Sequence, residues 1–464
     1  MNFKKLSAIA LLLFVAVANL QPANAQIKAG YKSLFDGKTL KGWKRLAGTA
    51  TYTVEKGAIV GTTAAGSGNT FLVTEKEYGD FVLELDVRID SPKSNSGIQV
   101  RSHFDPAGNG GKGLVYGKQC EVDPSPRKWS GGIYDEGRRD WLYPLDLHAE
   151  VKDVFKVGQY NHIKIECIGK GMKTWVNGVA MAYVVDTLDR TGFIGLQVHA
   201  VQKPEDAGEK VYFKNIQIKT TDVKPAAFAK NIYVVNLQPN SLTNYEKQDG
   251  WKLLFDGKTS KGWRSMANMD FPKKGWEIKN GCITINGSNN TVLLVEAQTG
   301  GDIITEDKYE TFDLSFDFKI TDVANSGVKY FTYLSKGDTG SPLGFEYQVL
   351  DDDKHPDAKL GRNGDRKLGS LYDMLPADKQ ARFVHKVGAW NTGRIVVEPN
   401  NHVTHYLNGV KVLEYDLTSK EFKEAFALSK FKNDAGFADR KPGYILLQDH
   451  GCTVSYRDIK VKRL

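Results

Sequence analysis

Apolar residues alternate with polar ones over short stretches along most of the chain. In "FDLSFDFKI", Phe312, Leu314, Phe316, Phe318 and Ile320 fall on one side and Asp313, Ser315, Asp317 and Lys319 on the other. "FVLELDVRI" does the same with Phe81, Leu83, Leu85, Val87 and Ile89, and "HIKIECI" and "RDIKVKRL" repeat it in shorter form. A period of two buries one face of a strand and leaves the other solvated. The turn pairs Asp36-Gly37, Asn177-Gly178, Asp256-Gly257 and Asn408-Gly409 separate such runs, and Asn-Gly is a strong hairpin signal. Long amphipathic helices are nearly absent; "SKEFKEAFALSKF", Ser419 to Phe431, is the best candidate. Many short antiparallel strands predict an all-β protein built from two-sheet sandwiches of jelly-roll type.

The pattern is written twice. "SLFDGKTLKGWK" from Ser33 returns as "LLFDGKTSKGWR" from Leu253. "NSGIQVRS" from Asn95 answers "NSGVKYFT" from Asn325, and "GGIYDEG" from Gly131 answers "GSLYDML" from Gly369. "TWVNGVAM" matches "HYLNGVKV", "GFIGLQVHA" matches "GYILLQDHG", and "VYFKNIQIK" matches "VSYRDIKVK" in the same order. This is a tandem duplication of a whole domain, far longer than a solenoid repeat. A chain of 464 residues also exceeds one ordinary core. The expected domains are 26–220 and 249–464, with Trp43 and Trp263 as packing anchors. Residues 221–248, which hold Pro225 and Pro239, read as a linker in which "NIYVVNL" could add a strand to one domain.

Residues 1–25 read as a cleaved secretory signal peptide. Lys4 and Lys5 precede the apolar run Leu6 to Leu20, and Ala23-Asn24-Ala25 is a small-x-small cleavage pattern before Gln26. The expected location is therefore periplasmic or extracellular, with no membrane span and no cysteine for a lipid anchor. Losing Lys4 and Lys5 takes the formal charge from +8 to +6, and the cations are scattered among acids, which argues against a nucleic-acid partner. Cys120, Cys167, Cys282 and Cys452 do not make a disulfide framework in so long a chain. No CxxC, HExxH or G-x-S-x-G occurs, so zinc ribbon, zincin and serine esterase readings lack an anchor.

Polar groups gather where a plain sandwich does not need them. In "GFEYQVLDD", Glu346 and Gln348 project from one strand face, and alternation puts Lys329 and Phe331 on one face of "NSGVKYF". Asn325, Asp351, Tyr372, Gln448 and His450 lie at neighbouring landmarks. Amide and carboxylate oxygens accept hydroxyl protons and an ammonium donates, a mixture suited to a sugar. The first copy offers Gln119, Glu121 and Asp123 on one face, with Gln99 and Arg101 on the preceding strand, Tyr134 at its own landmark and Gln197 with His199 opposite Gln448 and His450. There the acid–amide order is exchanged and Val198 replaces Asp449. "LDDDKH" could hold a divalent cation through Asp351, Asp352 and Asp353, although EF-hand spacing and glycine are missing. No other cofactor is indicated.

With "LFDGKTLKGW", "NSGI", "GGIYDEG", "VNG" and "LQVHA" in one half and "LFDGKTSKGW", "GFEYQVLDDDKHPDA", "GSLYDML", "LNG" and "LQDHG" in the other, the sequence resembles the 3-keto-disaccharide hydrolase domain family. That resemblance implies concanavalin A-like sandwiches with a carbohydrate site on one sheet face, export, and tandem copies. A ketone at C3 of a glycoside acidifies the C2 proton, so a base can form an enolate that expels the C1 substituent, and water then adds to the enone. Such chemistry needs a base poised near neutrality and a cation near the enolate oxygen. Glu346 or His450 is the expected base and Lys329 the oxyanion partner, with Gln348, Asp351, Tyr372, Gln448 and Asn325 orienting hydroxyls. The alternatives are a non-catalytic carbohydrate-binding module and a two-carboxylate glycosidase pairing Glu346 with Asp351 or Asp373.

Overall fold

The computed structural model describes residues 27–287, 300–337, 339–434, 436–437 and 442–464; the predicted leader lies outside these. The alternating runs become the central strands. Phe81–Ile89 lies between Asn161–Ile168 and Lys210–Lys219, and Phe312–Ile320 between Asn391–Val397 and Val454–Arg463, all antiparallel. Their apolar faces vanish into the two cores: Phe312, Leu314, Phe316 and Phe318 are all fully buried. After each central strand the chain crosses to a second sheet, through Ser96–Asp105 in the first half and Asn325–Leu334 in the second. The result is two tandem jelly-roll sandwiches of concanavalin type; among the described residues their sheets have nine and seven strands in the first and eight and five in the second.

Each sandwich closes first strand to last. Lys32–Ser33 pairs with Lys210–Lys219, and Lys252–Leu253 with Val454–Arg463. The repeated opening phrase makes this closure. Asp36 accepts from the N–H groups of Lys38 and Thr39 at 2.7 Å each, and Asp256 from those of Lys258 and Thr259 at 2.7 Å. Buried Trp43 and Trp263 then donate to the carbonyls of Leu34 (2.8 Å) and Leu254 (2.6 Å). The predicted helix forms over Lys420–Leu428, with the Ser419 hydroxyl accepting from the Phe422 N–H at its N-terminus.

Strict alternation fails at several matched places in the two halves, and one of them bears on the site. The pairing slips between Val100 and His103 and between Tyr330 and Tyr333, and Arg101 and Phe331 take φ of +49° and +53°. Such a bulge rotates the side chain off the face that period two assigns it. Phe331 therefore enters the core instead of lying beside Lys329. Arg101 is likewise not on the predicted sugar-facing side. Its guanidinium donates to the carbonyls of Gly79, Gly169 and Cys167 and pairs with Asp80 at 2.8 Å. A Cβ at Gly192 or Gly443 would come within 2.3 Å of the backbone of Arg101 or Phe331, which explains the glycine opening each of those matched phrases.

The connecting segment packs against both halves. Val235–Asn236 runs parallel to Val184–Val185 of the first sandwich, and Tyr143 donates to the Tyr233 carbonyl at 3.1 Å. The Tyr233 hydroxyl shares a 2.8 Å hydrogen bond with Ser315 of the second sandwich. Glu246, on the short helix Asn244–Gln248, meets Lys460 at 2.8 Å with both side chains 1 % exposed. Among the described residues no helix is long and apolar enough to cross a membrane.

Candidate active site

The five-stranded sheet of the second sandwich runs Trp263–Ser265, Ile303–Tyr309, Gly443–Leu447, Asn325–Leu334, Pro342–Leu350. Val328, Phe345, Tyr347, Ile445 and Leu447 point from it into the core. The alternate positions place Lys329 directly opposite Glu346, and Gly327 opposite Gln348. Lys329 Nζ lies 3.6 Å from Glu346 Oε2, with the two side chains 13 % and 5 % exposed. Glu346 folds across Gly327, where a Cβ would sit 2.4 Å from its Oε1; that is the physical reason for the glycine in "NSG".

Asp302 precedes the neighbouring strand and brings a second buried carboxyl to the same face. Its Oδ1 accepts from the Asp449 N–H at 2.8 Å. Burial raises the pKa of Glu346, and Lys329 and Lys430 oppose that rise. Burial raises that of Asp302 as well, against the pull of Lys329. His450 stands at the rim with an exposed edge; desolvation of its inner side lowers its pKa, with Asp302 acting the other way, so the imidazole is neutral at pH 7. Around this cluster Asn325 Oδ1, Gln348 Nε2 and Gln448 Oε1 are buried with no hydrogen-bond partner among the described residues. The Gln348 amide is oriented by the Val349 N–H, which donates to its Oε1 at 3.1 Å and leaves Nε2 free to donate. Unpaired buried polar atoms are costly, and three of them together mark a place for a polar ligand.

Tyr372 closes one side. Its N–H donates to the Glu346 carbonyl at 3.0 Å and its hydroxyl to Asp357 at 2.9 Å. Arg366 bridges Asp357 and Asp373, 2.8 Å to each. Lys430 arrives on residues 417–442, which connect Val410–Asp416 to Gly443–Leu447; the equivalent connection in the first half is only 186–192. The Lys430 N–H donates to Asp373 Oδ2 at 2.7 Å, and its ammonium lies 4.3 Å from the Tyr372 ring centre. Partial burial lowers the Lys430 pKa, and Glu346 is the first group opposing that. Sequence reasoning missed both Asp302 and Lys430, because neither belongs to a phrase the two halves share.

Asp351 does not face this cluster with free oxygens. It accepts from the N–H groups of Val323 (2.8 Å), Asp353 and Lys354 (3.2 Å each) and so holds a turn. Asp352 is held by the Leu368 N–H and by Lys379 at 2.9 Å. With Asp351 on backbone and Asp373 on Arg366, neither carboxylate predicted to partner Glu346 in a two-carboxylate glycosidase is available. The aspartates of "LDDDKH" do not fit a cation site either, and among the described residues no group of three His, Cys, Asp or Glu side chains could hold a metal ion.

In the first half the matching register pairs Gln99 with Gln119 and Gly97 with Glu121. Gln99 thus stands for Lys329, Gln119 for Glu346 and Glu121 for Gln348. Leu72 pairs with Leu196 as Ile303 does with Leu447, which puts Phe71 where the second half has Asp302. Gln99 donates to Gln119 (2.8 Å), and Gln119 (3.0 Å) and Asn95 (2.7 Å) donate to Glu121. Gln197 reaches Glu136 at 3.3 Å, while Tyr134 donates to Asp140 at 2.8 Å. Asp123 lies 2.8 Å from Arg127, and His199 is at the exposed rim with Nδ1 2.9 Å from the Ala200 carbonyl.

Comparison with known proteins fits this duplicated geometry. Residues 30–219 and 250–462 each match the 3-keto-alpha-glucoside-1,2-lyase-like domain. The chain belongs to this family. A 3-keto-disaccharide hydrolase of Bacteroides thetaiotaomicron is 39 % identical over 238 residues, 47 % of this chain and 79 % of that protein. Two solved structures of candidate glycosyl hydrolases from Parabacteroides distasonis are 30 % and 28 % identical. They cover 49 % and 46 % of this chain and 100 % and 99 % of their own, with TM-scores of 0.42 and 0.36. Within the 3-keto-alpha-glucoside-1,2-lyase-like family, then, this chain carries one copy with a charged face and one whose matching positions are amides and a phenylalanine.

Proposed function

We propose that the second sandwich is a glycoside-cleaving hydrolase acting on 3-keto-glycosides and 3-keto-disaccharides by elimination and hydration. The observation that carries the reading is the buried Lys329–Glu346 pair, set among unpartnered amide groups beside Asp302. The Glu346 carboxylate takes the C2 proton made acidic by the C3 ketone, and the Lys329 ammonium faces the oxygen that becomes the enolate. The enolate electrons return to expel the C1 oxygen, which takes the proton from Glu346. Neutral His450 then draws a proton from water as it adds at C1 of the enone, and the proton returns to C2. Asn325, Gln348 and Gln448 meet the sugar hydroxyls through the atoms the protein leaves unpaired. The B. thetaiotaomicron relative, a 3-keto-disaccharide hydrolase, supports the same substrate class.

The test offers purified protein an aryl 3-keto-glucoside and the ordinary aryl glucoside and follows aglycone release. Release from the keto substrate alone is expected. Release from both returns the two-carboxylate glycosidase, and binding without release returns the binding module. Unchanged turnover in both Glu346→Gln and His450→Ala would sink the residue assignment. We also read the protein as exported after cleavage before Gln26, which N-terminal mass spectrometry of the protein from its native host checks directly.

A further inference from the structure

The first sandwich poses its own question: a sheet face that has lost all three charged groups of its counterpart has kept its polarity. Phe71, Gln99 and Gln119 stand where the other half has Asp302, Lys329 and Glu346. With no ammonium to face an enolate and no carboxylate opposite it, the facing pair assigned to proton abstraction in the second half is missing from this face. The polar groups nevertheless persist beside an apolar patch on the same sheet formed by Phe71, Val73, Val115 and Phe193. Burying amides and carboxyls is unfavourable unless they find partners, so a structural role alone would be served as well by extending that patch.

One atom points to a ligand. Gln197 is 1 % exposed, its Nε2 donates to Glu136 at 3.3 Å, and its Oε1 has no partner among the described residues. It is an acceptor waiting for a donor. A sugar hydroxyl supplies one. At the place of Lys329, Gln99 is already committed: its Nε2 donates to Gln119 and its Oε1 accepts from Ser102 at 2.6 Å. A carbonyl arriving there meets a neutral amide in place of an ammonium. Half-buried Tyr134 packs edge-on against Trp141, 5.3 Å between ring centres, giving an apolar ring beside the polar floor as sugars require.

We propose that this face of the first sandwich binds neutral, unoxidised saccharides and holds them without cleaving them. Burial disfavours charge on the floor: it pushes the Glu121 carboxyl up to about 8 and raises that of Glu136. The two halves of the chain thereby divide the work by oxidation state: a hydroxyl-bearing sugar rests on the first and a keto-sugar reacts on the second. Binding on the first face does not depend on the reaction assigned to the second.

The experiment uses the full chain and maltose as probe. Calorimetric titration at millimolar maltose is expected to show binding that weakens roughly tenfold in Gln197→Leu, which deletes the unpaired acceptor, and in Tyr134→Ala. Because a buried substitution can disturb folding, each variant is checked by thermal melting. The unaltered protein is also photo-crosslinked with a diazirine-bearing maltose and the adduct mapped by mass spectrometry. Adducts on residues 131–141 support the proposal. Adducts confined to the second sandwich, equal affinity in both folded variants, or no maltose binding by the unaltered chain overturn it. Failure of keto-glucoside cleavage would refute the second-site reading and leave this one standing.

Discussion

Replacing Lys329 by Met keeps an unbranched apolar stem and removes the ammonium with its charge and donors. At the observed 3.6 Å, with an effective dielectric of about 20, the lost attraction to Glu346 is about 4–5 kcal/mol. Lys430 and solvent offset part of it. Each 1.36 kcal/mol that survives moves the Glu346 ionisation by one pH unit, so even a third of the attraction displaces it visibly. Lys329 opposes the burial-driven rise of the Glu346 pKa, so its removal sends that pKa further up. A base that must be ionised then works only at higher pH, and the acid limb of the kcat/KM profile moves to the alkaline side. Loss of the cation at the enolate oxygen removes a further factor of roughly 10²–10³ at every pH. The measurement is aglycone release from an aryl 3-keto-glucoside across the pH range, for Lys329→Met and Lys329→Arg. The deficit of the Met variant should be largest in acid and narrow as pH rises, while the Arg variant keeps the parental limb. A Met deficit that is constant with pH, its limb unmoved, refutes the pairing of Lys329 with a catalytic Glu346.

Two further outcomes are expected. The folded state holds a proton on Glu121 that the unfolded chain releases, so stability falls as pH rises from the ordinary carboxylate range to about 8; the full effect is about 4–5 kcal/mol. Glu121→Gln should flatten the melting temperature against pH across that window, and an unchanged slope contradicts the raised carboxyl. Lys460→Met leaves Glu246 buried beside the connecting segment without its cation, which should cost about 3–5 kcal/mol in urea unfolding; a loss below about 1 kcal/mol would show the pair to be incidental.

Most of the strand framework was legible because period two and the repeated phrases are local signals. Alternation failed where bulges intervened, and beside the site these are at Arg101 and Phe331. The clue there was on another strand, in Gly192 and Gly443, whose missing side chains let the backbones approach. The facing of Lys329 and Glu346 followed from strand faces, but their partner Asp302 did not. It sits one residue outside a strand and is matched by Phe71 in the other half, so comparing the halves hid it. Lys430 was hidden for a different reason: its place depends on Asp373 holding its backbone, a tertiary contact no spacing reveals. Asp351 looked like a ligand because a carboxylate that binds turn N–H groups and one that meets a sugar read alike in a sequence.

The closure of each sandwich by its own first and last strands also bears on how the chain reaches this structure. Two halves that share their opening phrase and their closing strand pattern could exchange strands, a common failure of tandem domains. Lys210–Lys219 emerges before the second "LFDGKT", from a ribosome or from an export channel alike, so Lys32–Ser33 can seal the first half while no rival copy is present. Lys252–Leu253 must then wait for Val454–Arg463, by which time the matching strands of the first half can already be paired. Order of emergence thus does what sequence similarity alone could not: it makes the correct partner the first one available.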